Sequence, residues 1–193
     1  SARPFLVLAT RRSWRRCLLP LWLSLLPVLA LQPFSAGAAW HHAEQDIMGT
    51  RVTVELWHED SAQAEQAMAA VMAAMRAVDQ SMSPYIASSE VYRLNQQAFR
   101  QPQVVSEPLY QLIDKALYYS RLSDGAFDIS FASVGRYYDY RQQQAPSDRR
   151  LAEKLPAINY RLIKLNPADH SVRFLQADVN IDLGGIAKGH AVD

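Results

Sequence analysis

Cysteine is nearly absent: of 193 residues only Cys17 carries a thiol, and it lies in the N-terminal segment. Disulfides, cysteine-ligated metals and thiol nucleophiles are thereby excluded for everything that follows it. Acids are missing from the first 38 residues, which hold five arginines, so 15 of the 20 basic residues remain to face 19 acidic ones. The remainder carries a formal net charge of −4, which argues against nucleic-acid binding as its main role. Histidine is sparse, at His41, His42, His58, His170 and His190, and apart from the adjacent pair none has metal-ligand spacing. That pair falls just after residue 38, where disorder is the default expectation. No internal repeat, low-complexity linker or nucleophile elbow is present.

What the first segment does contain is an export signal. Arg11, Arg12, Arg15 and Arg16 precede the apolar run from Cys17 to Leu31, and Ala36-Gly37-Ala38 supplies a small-x-small cleavage pattern. Cleavage is expected after Ala38, which divides the chain into a signal peptide over 1–38 and an exported part over 39–193. Pro20 and Pro27 interrupt the run, so a retained membrane span is the poorer reading and membrane association at most is expected. An exported chain without disulfides relies on its core, and about 155 residues suffice for one. The expected location is the periplasm of a bacterial envelope. The chain starts at Ser1 and stops at Asp193 within an expected helix, so a sequence incomplete at both ends is expected as well.

The hydrophobic pattern predicts an α+β fold. Gln45–Trp57 alternates as a strand, with Val52, Val54 and Leu56 on one face. Ser61 is placed to cap a long helix to about Gln80, carrying Ala64, Met68, Val71, Met72, Met75 and Val78 at helical spacing. Ser88 or Ser89 caps a short helix toward Asn95, and Ser106-Glu107-Pro108 starts another that ends at Ser123-Asp124-Gly125. Arg141–Arg150 is read as a polar connection, and Tyr160–Leu165 with Ser171–Gln176 as a hairpin.

The chemistry is densest in Val179–Asp193. An apolar strand is expected over its first residues, with Asp182 inside it, and an acid so placed must be hydrogen-bonded, paired or bound to something. Gly184 and Gly185 leave the backbone bare directly after it, and Lys188 follows within one turn, near where an anion gathers at a helix start. A glycine turn alone would explain the glycines, but not the flanking acid and lysine. The pattern is neither a P-loop, which needs lysine and Ser/Thr directly after its second glycine, nor the GxGxxG of a dinucleotide fold.

Two further stretches stand out. Gly125-Ala126-Phe127-Asp128 reads as a helix-ending glycine, a core phenylalanine and a turn acid, or as one edge of a planar-ligand site. Met82–Asn95 places Tyr85 on a proline-stiffened loop, as a surface tyrosine or as a ring that stacks on a ligand. Met48-Gly49-Thr50 adds a glycine that allows close backbone approach.

In this order and spacing, after an export signal, the segments Met48–Thr50, Tyr85 with Ser89-Glu90 and Leu94-Asn95, Gly125–Asp128, and Asp182–Asp193 resemble the ApbE-type FAD:protein FMN transferases. The resemblance covers essentially all of residues 39–193 and about the N-terminal half of such a protein. It implies an ApbE-like, T-fold-related α+β domain, incomplete at its C-terminus. It also implies a reaction in which FAD is bound with Mg²⁺, its pyrophosphate is cleaved, and FMN moves onto a Thr or Ser hydroxyl of an acceptor protein while AMP leaves. The implied acceptors are subunits of envelope redox complexes.

By position, the resemblance implies that Met48, Tyr85, Ala126, Phe127, Asp128, Asp182 and Lys188 line the FAD site, and that Gly185 offers Mg²⁺ a backbone carbonyl. Ser89, Glu90 and Asn95 would brace the Tyr85 loop. Remaining metal ligands would lie beyond Asp193, so a chain ending there is expected to be inactive. The alternatives are a periplasmic FAD-binding protein without turnover and an FAD pyrophosphatase on the same scaffold.

Overall fold

The computed structural model describes residues 37–139 and 142–192. The expected signal segment, with its arginines and apolar run, lies outside the described residues except for Gly37 and Ala38. Among the described residues no helix is long and apolar enough to cross a membrane.

β1 (Ala39–Ile47) and β2 (Thr50–His58) form an antiparallel hairpin whose register runs from Ala39↔His58 to Ile47↔Thr50. This corrects the single strand expected over Gln45–Trp57, because Met48 and Gly49 take φ values of 53° and 68° and turn the chain back. Two successive left-handed residues give the two-residue turn whose twist matches that of the strands. Val52 is buried, and Val54 and Leu56 are half-buried on the same face. On the other face the cross-strand partners Trp40 and Trp57 meet edge to face, 5.6 Å between ring centroids. His41 and His42 belong to β1 rather than to a disordered stretch.

α1 (Ser61–Met82) begins one residue earlier than the serine assignment implies: Asp60 is the cap, its Oδ1 accepting from the amides of Ala62 and Gln63 at 2.9 and 3.1 Å. Its buried stripe is Ala64, Met68, Met72, Met75 and Met82. Val71 shares the angular position of that stripe but stays 42% exposed, since no described element covers it. α2 (Glu90–Gln97) is capped by Ser89, whose Oγ accepts from Tyr92 N–H at 2.9 Å. β3 (Gln103–Val104) is a short strand without a sequence signal of its own.

α3 (Glu107–Leu122) starts at Ser106 with Pro108 in its first turn, but the Ser106 hydroxyl does not cap it. That hydroxyl donates to Glu90 Oε1 at 2.7 Å, and the Ser106 amide donates to Glu90 Oε2 at 2.7 Å. The helix closes where Asp124 and Gly125 turn left-handed, and the Gly125 N–H donates to the Ser120 carbonyl at 2.8 Å. A 3₁₀ turn over Ile129–Phe131 leads into the single-turn α4 (Ala132–Gly135). The stretch read as a polar connection turns helical at its end: Ser147 starts α5 (Asp148–Lys154).

The hairpin expected after Tyr160 forms in shortened form, because Tyr160–Leu162 is a 3₁₀ turn. β4 (Ile163–Asn166) and β5 (Ser171–Phe174) pair antiparallel, and β3 adds to the other edge of β5, giving the order β3-β5-β4. α6 (Gly184–Val192) ends the described chain.

Two apolar clusters result. The larger joins α2, α3, the small sheet, Val179–Leu183 and Ala187 of α6. The smaller packs Ile47 and Val52 of the hairpin on Met72 and Met75 of α1, with Met48 and Ala191 partly buried against it. α6 therefore touches both clusters, and the space beside its first turn is framed by the β1–β2 turn, the end of α1 and the loop after it.

Candidate functional site

The segment before α6 is extended and buried but forms no ladder, which corrects the strand expected there. Its backbone is met by side chains and by one carbonyl of the 3₁₀ turn Ile129–Phe131. Asn95 Nδ2 donates to the Ile181 carbonyl at 3.0 Å, and Asn95 Oδ1 accepts from Ile181 N–H at 2.8 Å. Ser133 Oγ accepts from Asn180 N–H at 3.0 Å, and the Asp182 amide donates to the Ile129 carbonyl at 3.0 Å. Asn95 thus holds the segment that carries Asp182, not the Tyr85 loop as the resemblance implies. Ser89 does hold that loop, donating its hydroxyl to the Ser83 carbonyl, and Glu90 joins α1 to α3 through Ser81 and Ser106.

Asp182 answers the demand placed on an acid in apolar surroundings in one respect. Its Oδ1 accepts from Gly184 N–H at 2.7 Å, which caps the first turn of α6. Glycine at 184 suits that contact, since a Cβ there would lie 3.0 Å from the same oxygen and press the carboxylate aside. Lys188, one turn on, is exposed and carries a positive charge beside the cap.

A cleft of about 490 Å³ opens at this point, lined among others by Met48, Asp79, Tyr85, Asp182, Gly184 and Lys188. Met48, Tyr85 and the Asp182–Lys188 pair, from three separate stretches of sequence, therefore meet at one opening. Met48 reaches it from a left-handed backbone that costs a non-glycine residue about 1–2 kcal/mol. Tyr85 stands at the rim with 81% of its surface exposed. Its phenol titrates above the ordinary tyrosine range, first through partial desolvation and second through the negative charge of Asp182.

Phe127 and Gly185 line a second, more apolar cleft of about 450 Å³ on the side of α6 that faces α3, together with Tyr119, Leu122, Ser123 and Ile186. Phe127 lies in contact with Gly185, 3.5 Å from where a Cβ would be. Ala126 is exposed and lines neither cleft. Asp128 lines neither cleft, and both its oxygens are engaged within the chain. Oδ1 accepts from the Ser130 amide and hydroxyl at 2.8 and 2.6 Å, and Oδ2 from Tyr160 N–H at 2.8 Å. Its position braces the turn that presents Phe127. Asp79 was not singled out in the sequence, where it reads as one more polar residue near a helix end.

The donor set bears on magnesium. Among the described residues no three acidic or histidine side chains gather as a metal site. The cleft does present the Asp182 carboxylate, and Gly185 sits in the first turn of α6, where its carbonyl keeps one lone pair beyond the helical bond. Such oxygens fit a cation held mainly by ligand phosphates, which takes one or two protein oxygens, and not a cation caged by protein alone.

These features define an α+β domain in which the start of α6 lies between two clefts. The model of the ApbE family matches residues 48–193, and the chain belongs to that family. The FAD:protein FMN transferase of Treponema pallidum (strain Nichols) is 28% identical over 155 residues, covering 76% of this chain and 43% of that protein. A FAD:protein FMN transferase of Klebsiella pneumoniae (strain 342) is 29% identical over 170 residues, covering 85% and 49%. Among solved structures, the ApbE protein of Thermotoga maritima superposes with a TM-score of 0.73 at 25% identity, over 80% of this chain and 50% of that one. The flavin transferase ApbE of Vibrio cholerae gives the same TM-score at 22% identity, over 81% and 52%. The fold is thus the ApbE fold, and the chain spans about half the length of the relatives it matches.

Proposed function

We propose that this chain forms the FAD-binding part of an FAD:protein FMN transferase. The carrying observation is that Met48, Tyr85, Asp182 and Lys188 line one cleft at the capped start of α6. Family membership and relatives named for that activity support the reading.

In the proposed reaction a Thr or Ser hydroxyl of an acceptor protein attacks the phosphorus on the FMN side of the FAD diphosphate. A new phosphoester P–O bond forms, the bond to the AMP phosphate breaks, and AMP leaves with its electron pair. One proton passes to the medium as AMP takes up its second negative charge. Phosphoryl transfer of this kind is accelerated chiefly by positioning and by neutralising charge. Lys188 would offer a positive point charge to the diphosphate, and the bare first turn of α6 would let phosphate oxygens approach the backbone. Tyr85 would stack on a ring of the ligand at the rim. Phe127, seated on Gly185, would wall the second cleft. Asp182 would keep the turn of Gly184 in place and supply a hard oxygen near the phosphates.

Gly185, through its carbonyl, and Asp182 would offer magnesium its protein oxygens, and the metal would supply neutralisation of the phosphate charge. The acceptor in this proposal carries a Thr/Ser flavinylation motif and belongs to an envelope redox complex. The export signal over residues 1–38 supports a periplasmic site of action.

The test is incubation of the complete protein with FAD, Mg²⁺ and a candidate acceptor, followed by a denaturing gel under ultraviolet light. A fluorescent acceptor band that chelator abolishes is expected. Free FMN without such a band would favour a pyrophosphatase, and retained intact FAD a binding protein.

A further inference from the structure

Asp79 stands in the last turn of α1, lines the same cleft as Tyr85 and Lys188, and has no structural partner to account for it. The position is unfavourable for an acid, because the carbonyl end of a helix carries partial negative charge. No basic residue occupies that last turn. The natural counter-charge is Arg76, one turn earlier on the same face. Its guanidinium instead donates to Gln45 Oε1 on β1, although it lines the same small hollow as Asp79. Among the described residues the half-buried Asp79 carboxylate makes no hydrogen bond or ion pair, while its backbone carbonyl accepts from Ser83 N–H at 3.0 Å.

A carboxylate accepts hydrogen bonds and donates none, so toward the organic part of a ligand it acts through that ligand's donors. It would repel a diphosphate, and the cleft already has Lys188 and the α6 start for that part. What remains of a flavin dinucleotide with strong donors in vicinal pairs is its sugar portion. We infer that Asp79 is a ligand-contacting residue of this cleft, its carboxylate accepting hydrogen bonds from vicinal sugar hydroxyls of the bound nucleotide. The inference rests on the FAD-binding reading above and goes beyond it by naming the group that recognises the polyol. Two parts of FAD carry that chemistry, the ribose of the AMP half and the ribityl chain of the FMN half.

The experiment compares the complete protein with Asp79→Asn and Asp79→Ala, measuring affinity for FAD, for AMP and for FMN, together with the thermal midpoint. Losing a hydrogen bond to a charged acceptor weakens binding by about 10- to 100-fold. That loss is expected for FAD in both variants, with an unchanged or raised thermal midpoint because an acid leaves a helix C-terminus. A parallel loss for AMP alone assigns the ribose, and a loss for FMN alone assigns the ribityl chain. Wild-type affinity for FAD retained in both variants would overturn the inference while leaving the FAD reading intact. Weaker FAD binding accompanied by a lowered thermal midpoint would make Asp79 structural and overturn it as well. A wild-type protein that binds no FAD would overturn the reading itself and the inference with it.

Discussion

The side-chain amide of Asn95 on α2 grips the backbone of Ile181 from both sides, donating at 3.0 Å to its carbonyl and accepting at 2.8 Å from its N–H. An amide is the side chain that can do both at once, so it replaces one rung of a missing strand partner. Asp182 and the start of α6 follow directly. Asn95→Ala leaves two partly buried backbone groups without partners and is expected to cost roughly 2–4 kcal/mol of stability. Asn95→Asp keeps the acceptor but sets a negative charge against the Ile181 carbonyl. Urea unfolding of both variants tests this, and weaker FAD binding in whatever fraction folds is expected to accompany it.

Met48 invites a substitution that improves the fold at the expense of the site. Its φ of 53° suits asparagine better than methionine, and the next residue is already glycine. Met48→Asn should stabilise the β1–β2 turn by about 1 kcal/mol. It should also weaken FAD binding about fivefold, through lost apolar contact at the cleft. A stabilised variant with undiminished affinity would remove Met48 from the site.

Glycines within α6 should behave in opposite ways. At Gly189 an added Cβ meets nothing within 4 Å, so Gly189→Ala should stabilise the helix by up to about 1 kcal/mol. At Gly184 the same Cβ would press on Asp182 Oδ1 at 3.0 Å. Gly184→Ala should therefore gain little stability and displace the carboxylate, which FAD titration would register as lower affinity.

Glu90 ties the fold to pH. Partial burial pushes its carboxyl up, but the Ser106 amide and hydroxyl, the Ser81 hydroxyl and Arg93 outweigh this and hold it below the usual glutamate range. A depressed carboxyl contributes stability above the unfolded-state value and loses it as pH falls through the folded-state value. Glu90→Gln should cost about 1–3 kcal/mol at neutral pH. The difference from wild type should shrink as both are unfolded at increasingly acidic pH.

Helices were the legible part of this fold, because α1, α2 and α3 announce themselves by apolar spacing and by the acids, serines and proline at their starts. Where the sequence misled, side chains had been recruited across the chain. Ser106 looks like a cap but serves Glu90, and Asp60 rather than Ser61 caps α1. The Val179–Leu183 run looks like a strand because all but Asp182 is apolar or buried, yet its partners are Asn95, Ser133 and the Ile129 carbonyl rather than another strand. The Met48-Gly49 turn lacks the Asn-Gly signal, so one strand was read where the chain makes two. Asp182 and Lys188 stand out in the sequence because an acid and a base flank bare glycines, and the fold brings both to one cleft. Asp79 does not stand out in the same way, because its place beside the cleft and the lack of a partner for its carboxylate among the described residues are disclosed only by the three-dimensional structure.

The most direct test of the account is mass spectrometry of an acceptor protein bearing a Thr/Ser flavinylation motif, after incubation with FAD, Mg²⁺ and the complete protein. Wild type should add one FMN to the acceptor hydroxyl with release of AMP, and Asp182→Ala and Lys188→Ala should each reduce that product at least about tenfold. An acceptor left unmodified by wild type, or modified equally by all three proteins, would contradict the account.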